Sequence, residues 1–285
     1  FLKWPGGKSG MVDLVAEAFG PSCSGVYHEP FLGGGSVFLG LAEAGRIRGA
    51  SLSDVNGRLI DLWTSLTTPA GFDDLRAELR ALPWGENWRP HYDRIRDAFN
   101  GERVSSQALT AARLVWLNRA CFNGLYRESS EGNFNTPAGD YKAIACPDEA
   151  LAAAHVLLSE RLAAQVTRLH WRHAFFGSTE PAAGDWVFAD PPYYDPGAFV
   201  AFAGAWRRLD QDELVSRLAA AARRGARVVV TQPATPKVVR QWVAAGFEVV
   251  HEHAVARPIG AKADRRGAAA EVILRAGGPP GLRPG

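Results

Sequence analysis

The stretch Gly25-Val-Tyr-His-Glu-Pro-Phe-Leu-Gly-Gly-Gly-Ser-Val-Phe-Leu39, followed by Ala50-Ser-Leu-Ser-Asp54, decides how the rest of the chain is read. Gly25–Glu29 reads as a short strand and Phe31–Ser36 as a glycine turn. Val37–Ala44 reads as a helix, and Ala50–Ser53 as a second strand ending at Asp54. Strand, glycine turn, helix and strand make a βαβ unit of the doubly wound α/β type. Glycines let the backbone approach a ligand closely, and Phe31 offers an apolar wall beside them. A glycine turn alone is as readily structural as functional. Asp54 adds weight to the second reading, because an acid at the end of the next strand can meet ribose hydroxyls. The turn lacks the G-x-G-x-x-G pattern, which argues against a nicotinamide dinucleotide.

Working outward, the chain changes character twice. From Gly57 to Asn118 the pattern is helical, broken at Pro69, Pro83-Trp84-Gly85 and Trp88-Arg89-Pro90, with no convincing strand. Asn118 to Tyr141 is polar and rich in breakers. Alternation then resumes with a helix over Asp148–Ala164, the strand Trp186–Ala189, a helix over Gln211–Arg223 and the strand Arg227–Thr231. A helix near Lys237–Ala245 precedes a closing antiparallel pair, Val249–Val255 with Glu271–Arg275. The expected architecture is one α/β domain made from residues 1–56 and 146–285, with residues 57–145 inserted as a mostly helical module. The glycine- and proline-rich tail from Gly277 is expected to be disordered.

Composition is ordinary for a globular chain of 285 residues, 47% hydrophobic and 22% charged. A net charge of +2 neither announces nor excludes a polyanionic partner. Cys23, Cys121 and Cys146 lie far apart, with no C-x-x-C pair or zinc-spaced histidines, so neither a metal nor a disulfide framework is expected. No apolar run reaches membrane-spanning length and no signal peptide is visible. A cytoplasmic protein without an obligate protein partner is expected. Because it starts at Phe1, the chain is expected to lack a few N-terminal residues.

Asp190-Pro-Pro-Tyr193 follows directly on the apolar strand Trp186–Ala189. The carboxyl end of a parallel strand is where such sheets place ligands. The carboxylate of Asp190 can accept one hydrogen of an aromatic amine, and the carbonyl of Pro191 the other. Two prolines remove N–H donors and hold the turn rigid, while Tyr193 can stack on a base. Held so, an amine lone pair can face an electrophilic methyl, and orientation supplies most of the catalysis. The alternative is a strand ending in a proline turn. The tetrapeptide indicates amine methylation better than it identifies the base.

Phe1-Leu-Lys-Trp-Pro-Gly-Gly-Lys-Ser-Gly10 is not a phosphate-binding loop, since the first glycine of that pattern would fall at Leu2. Lys8 can instead pair with the carboxylate of an amino-acid-like ligand, and Trp4 can pack on an adenine ring. Carboxylate, ribose and adenine are the parts of S-adenosylmethionine. In the breaker-rich stretch, Arg127 can fork onto guanine, and Leu125 or Pro137 can touch a thymine methyl; a solvated loop is the alternative. Basic residues recur later, at Arg207-Arg208, Arg223-Arg224, Arg227, Arg257, Lys262, Arg265 and Arg266. Some of them can meet phosphates, Lys262–Gly267 above all. Phe199 and Phe202 can line a base pocket or belong to the core.

In order, F-L-K-W-P-G-G-K, E-P-F-L-G-G-G-S-V-F-L, S-D-V-N, N-R-A-C-F-N-G-L-Y-R, G-N-F-N-T-P-A-G-D-Y and D-P-P-Y resemble the Dam-type DNA adenine methylases of the α class. The resemblance runs from Phe1 to about Tyr194, and more faintly through Ala256–Ile259 and Glu271–Leu274. It implies a Rossmann-like methyltransferase sheet with an inserted target-recognition domain and S-adenosylmethionine as cofactor. Cofactor contacts are implied at Trp4, Lys8, Phe31, Gly33, Asp54 and Asp190. A flipped adenine of double-stranded DNA would be gripped by Asp190, Pro191 and Tyr193. Lys3, Asn123, Leu125, Arg127, Pro137 and Tyr141 fall where relatives methylating GATC contact DNA, which implies that target.

Three positions depart from the family pattern: Pro5 for alanine, Ala174 for an acidic residue, and Thr231-Gln-Pro-Ala-Thr235 for a serine-asparagine stretch. None of them is expected to touch Asp190. An RNA amine methylase and a catalytically silent DNA-binding relative stay open, as does the choice between a restriction-modification partner and a regulatory or phage enzyme.

Overall fold

The structure is a computed structural model and describes residues 1–4, 6–101, 105–168, 180–192, 208–256 and 268–278. The N-terminal segment leads through a short turn into α1 (Val12–Phe19), β1 (Tyr27–Glu29), α2 (Ser36–Glu43) and β2 (Gly49–Asp54). The predicted βαβ unit is therefore present, with β1 starting at Tyr27 rather than Gly25. Its turn holds Gly33 and Gly35 at φ +49° and +64°, where a Cβ is strained.

Beyond Asp54 the chain leaves the sheet for α3 (Gly57–Ser65), α4 (Pro69–Ala81), α5 (Tyr92–Gly101) and α6 (Gln107–Ala120). Local chemistry sets their starts. Asn56 accepts from the amide of Leu59, Thr68 from that of Gly71 ahead of Pro69, and Ser106 from that of Leu109. α6 is the centre of this group, burying Leu114, Val115, Trp116 and Leu117 on consecutive positions. An all-round apolar helix of this kind is buried on every side. These helices share one core with the sheet, since Trp63 of α3 packs edge-on against Phe38 of α2 and Phe1. The chain excursion at Gly57 is thus continuous in packing with what precedes it.

The chain re-enters the sheet earlier than predicted. α7 covers only Asp148–Val156, widens into a π-helical turn over Leu157–Arg161, and β3 (Ala163–Arg168) follows. The helix expected to reach Ala164 hid this strand, because Ala163 and Ala164 have helical propensity and pairing with β2 overrides it. β4 (Trp186–Ala189), α8 (Arg208–Arg223), β5 (Arg227–Pro233), α9 (Pro236–Ala244), β6 (Glu248–Ala256) and β7 (Ala268–Gly277) complete the order. Gly277 closes β7 instead of opening a disordered tail; residues 279–285 lie outside the described residues.

The strand order is β3-β2-β1-β4-β5-β7-β6, parallel from β3 to β5, with β7 antiparallel to both β5 and β6. This is the α/β Rossmann-like sheet that was expected. The connections out of β1 and β4 run toward opposite sides, so the order reverses between these two neighbours. A ligand crevice opens outside the carboxyl ends of strands at such a point. Glu29 ends β1, and Asp190 follows β4.

Candidate active site

Three carboxylates stand at the carboxyl ends of the adjacent strands β2, β1 and β4: Asp54, Glu29 and Asp190. Each is held differently. Asp54 accepts from the amide of Gly33 through Oδ2 and from that of Asn56 through Oδ1, both at 2.9 Å. Asn56 then caps α3, so S-D-V-N is a relay tying the glycine turn to the next strand and helix. Burial raises the Asp54 carboxyl above its ordinary value, against the pull of these amides.

Glu29 is buried, and the Tyr27 hydroxyl donates to its Oε2 at 2.5 Å. Burial pushes its pKa up to about 8; the Tyr27 bond opposes this, while Asp190 and Asp54 reinforce it. At pH 7 the middle acid of the row is mostly neutral, which spares the site a third negative charge.

Asp190 remains with a cation and a hydroxyl. Lys8 Nζ lies 2.8 Å from its Oδ2, and Thr231 donates to its Oδ1 at 2.6 Å. Lys8 also donates to the Gly6 carbonyl at 2.9 Å and stands 3.7 Å from Glu271 Oε2. Its backbone amide donates to Ser36 Oγ, which fixes the N-terminal segment to the start of α2. The expectation that Thr231 leaves Asp190 alone is corrected by this contact. Ala189 pairs with Val230 in register, so the next residues of β4 and β5 are side by side. Nothing in the sequence sets which strand lies alongside, so the contact has no signal of its own there.

The glycine turn is clamped between two indoles. A Cβ on Gly33 would lie 3.0 Å from Trp4 Cδ1, and one on Gly35 would lie 2.5 Å from Trp63 Cζ2. Trp63 Nε1 donates to the Gly33 carbonyl at 3.1 Å. Trp4 stacks on Tyr126 with centroids 4.9 Å apart, joining the N-terminal segment to the breaker-rich loop. Phe31 is half-buried against the smaller core cluster. Pro191 is buried beside Asp190, whereas Tyr193, Phe199 and Phe202 lie outside the described residues, as do Pro5 and Ala174.

The six predicted DNA-facing residues gather around one loop pair. The Asn118 side chain accepts from the Lys3 amide at 2.9 Å and donates to the carbonyls of Lys3 at 2.7 Å and Gly124 at 3.0 Å. It is buried, so one amide bridges the chain start to the 121–141 loop. Tyr141 stands under Lys3, its ring centroid 5.8 Å from Nζ. Its hydroxyl accepts from the Asn123 amide at 3.0 Å and donates to the Cys121 carbonyl at 3.2 Å. Asn123 is thereby pinned at φ +54°, a conformation asparagine tolerates better than most residues.

Arg127 forks onto Asn135, with Nε to Oδ1 at 2.6 Å and a second bond to the carbonyl at 3.0 Å. Leu125 is half-buried and Pro137 exposed, its carbonyl accepting from the Phe122 amide at 2.9 Å. Phe122 itself, with no role expected from the sequence, is 49% exposed at the loop tip. Glu29, Trp63, Asn118, Phe122, Asn135, Thr231 and Glu271 are among the residues to which the sequence assigns no part.

Two arginines read as phosphate candidates have other work. Arg224 pairs with Glu180 at 2.8 Å, and Arg227 begins β5 and donates to the Phe19 carbonyl. Both lie at the amino end of the strands, away from Asp190. Arg207, Arg257, Lys262, Arg265 and Arg266 lie outside the described residues.

Comparison with known proteins adds an independent line. The model of the D12 class N6 adenine-specific DNA methyltransferases matches residues 4–255. The DNA N-6-adenine-methyltransferase of Escherichia phage P1 is 32% identical over 95% of this chain and 34% of its own length. The chain therefore spans about a third of that relative. The DNA adenine methylase of Serratia marcescens is 34% identical over 68% of this chain and 66% of its own. The type II methyltransferase M1.LlaDCHI of Lactococcus lactis subsp. cremoris is 28% identical, covering 96% of this chain and 94% of its own. Among solved structures, the rRNA methyltransferase aviRa from Streptomyces viridochromogenes reaches a TM-score of 0.41 at 16% identity, covering 94% of this chain and 83% of that one. Nothing further rests on a likeness at that score.

Proposed function

This chain belongs to the D12 class N6 adenine-specific DNA methyltransferases, and on that premise we propose that it transfers a methyl group from S-adenosylmethionine to adenine N6 in duplex DNA. The observation that carries the reading is the placement of Asp190. It stands at the carboxyl end of β4 beside the reversal of strand order, its two oxygens held by Lys8 and Thr231.

The residues around Asp190 fit the proposed donor by their chemistry. Lys8 supplies a cation for an amino-acid carboxylate. Asp54 keeps lone pairs for ribose hydroxyls after accepting two amides, since a carboxylate offers about four. Trp4 and Phe31 supply apolar faces for a base. S-adenosylmethionine, when bound, supplies an electrophilic methyl on sulfur.

The chain's own part is orientation. Asp190 accepts one hydrogen of the adenine amine and the Pro191 carbonyl accepts the other, with Tyr193 against the base. Asp190 would hold the proton that leaves N6 after the amine has attacked. A base inside a duplex cannot reach such a crevice, so the adenine is extruded at a cost of a few kcal/mol. In this reading Phe122, exposed at the loop tip, stacks on the bases left behind.

Residues 57–145 are the recognition module in this reading. Lys3, Asn123, Leu125, Arg127, Pro137 and Tyr141 face the DNA, and GATC is the target. Plasmid DNA incubated with the protein and tritiated donor tests both levels. Label in N6-methyladenine and resistance to an endonuclease blocked by methylation at GATC are expected. Label at another sequence would remove the GATC assignment, and unlabelled DNA would remove the enzyme.

A further inference from the structure

The two oxygens of Asp190 are not equivalent, and the fold distinguishes them. Along β4, Asp190 shares its face with Phe188. Along β5, Thr231 shares its face with Val229, and along β7, Glu271 shares its face with Ile273. Phe188, Val229 and Ile273 all belong to the larger core, so Asp190, Thr231 and Glu271 point to the same side of the sheet. Lys8 reaches that side from the N-terminal segment, 2.8 Å from Asp190 and 3.7 Å from Glu271. Gln232 has the opposite parity and meets Gln211 at 3.3 Å instead.

Thr231 is fully buried, so water does not compete for its hydroxyl. A hydroxyl has one hydrogen to donate, and here it goes to Asp190 Oδ1 at 2.6 Å. The torsion that rotates a carboxylate about its last bond is broad and soft, so an untethered Asp190 would sample many planes. A charge-assisted hydrogen bond both restrains that rotation and favours the ionised acid.

We infer that Thr231 is a positioning residue for methyl transfer, acting through Asp190 and touching neither donor nor base. Its hydroxyl sets the carboxylate plane and leaves Oδ2, the oxygen beside Lys8, to turn to the adenine amine. The inference rests on the methyl-transfer reading and extends it to a residue outside Asp190-Pro-Pro-Tyr193. Lys8 faces Asp190 directly, Glu271 lies beyond that ammonium, and Glu29 is close enough for Asp190 to act on its charge. Thr231→Val removes one contact favouring the ionised form and leaves these groups in place. Valine also keeps the β-branched shape that a buried strand accepts.

The test compares wild type, Thr231→Val and Thr231→Ser for kcat, both KM values, donor dissociation constant, thermal midpoint and the pH dependence of kcat. Thr231→Val is expected to lose roughly ten- to hundredfold in kcat, as deletion of a hydrogen bond to a charged group does. Its KM values and donor affinity stay near wild type, and the acid limb of its profile moves to higher pH. Thr231→Ser, which keeps the hydroxyl, restores both the rate and the limb. A threonine serving only packing would lower the thermal midpoint and leave the acid limb in place. A Thr231→Val enzyme with wild-type kcat and acid limb, or a Thr231→Ser enzyme as impaired as Thr231→Val, would overturn the inference. A wild-type protein that methylates no DNA would instead remove the reading beneath it.

Discussion

Lys8, from the start of the chain, and Asp190, from the end of β4, meet at 2.8 Å with side chains only 8% and 19% exposed. The contact closes the N-terminal segment over the reversal point of the sheet. It places an ammonium between acids of two strands, 2.8 Å from Asp190 after β4 and 3.7 Å from Glu271 of β7.

Removing that ammonium leaves uncompensated negative charge in a buried setting. Lys8→Met is expected to cost about 3 kcal/mol or more of stability near neutral pH, the scale for breaking one side of a buried pair. Thermal unfolding of Lys8→Met beside wild type checks this; an unchanged midpoint would contradict it.

Glu29 carries its own pH signature. Its folded pKa of about 8 lies above the ordinary glutamate value of 4.5, so the folded state binds the proton more tightly. The stabilisation is fully present below pH 4.5 and is lost as pH rises through about 8. Glu29→Gln, neutral at every pH, should flatten that part of the stability profile. Denaturant unfolding between pH 4.5 and 9 reads it, and an unaltered slope in the variant would contradict the assignment.

Much of the fold was legible because chemistry and period coincided there. Phe31–Ser36 had to be a turn, and Trp186–Ala189 had to be a buried strand. β3 was not legible, because Ala163-Ala164-Gln165 carries no strand signal of its own and becomes one only beside Gly49–Asp54. In the site, Asp54, Lys8 and Asp190 could be named from residue type and position. Thr231, Asn118 and Glu271 could not, since their parts depend on which strand or loop lies alongside. The Dam-type resemblance supplied the expected partners of Lys3, Tyr141 and Arg127 but not the bonds that hold them.

Asn118 is the clearest of those bonds. Asn118→Ala leaves the Lys3 amide and two carbonyls without their buried partner, at about 1–3 kcal/mol for each group left unsatisfied. The DNA dissociation constant is expected to rise while donor affinity is unchanged. Equal weakening of both, measured by titration, would mean that the bridge serves the whole fold rather than the DNA-facing loop.

Arg127 is held on Asn135, which presents its remaining donors in a fixed plane. Arg127→Ala is expected to reduce discrimination at one base position by about 1–3 kcal/mol. Methylation of a set of single-substituted duplexes checks this. A uniform loss across all of them would assign Arg127 to phosphate contact instead.

The central claim is that Asp190 holds the adenine amine during transfer. Its most direct test is Asp190→Ala, assayed with tritiated donor and duplex DNA beside measured affinities for each. The account predicts that the variant folds, binds DNA, and incorporates at least about a thousandfold less label than wild type, which itself labels adenine N6. Label incorporated by the variant at a rate near that of wild type would contradict it.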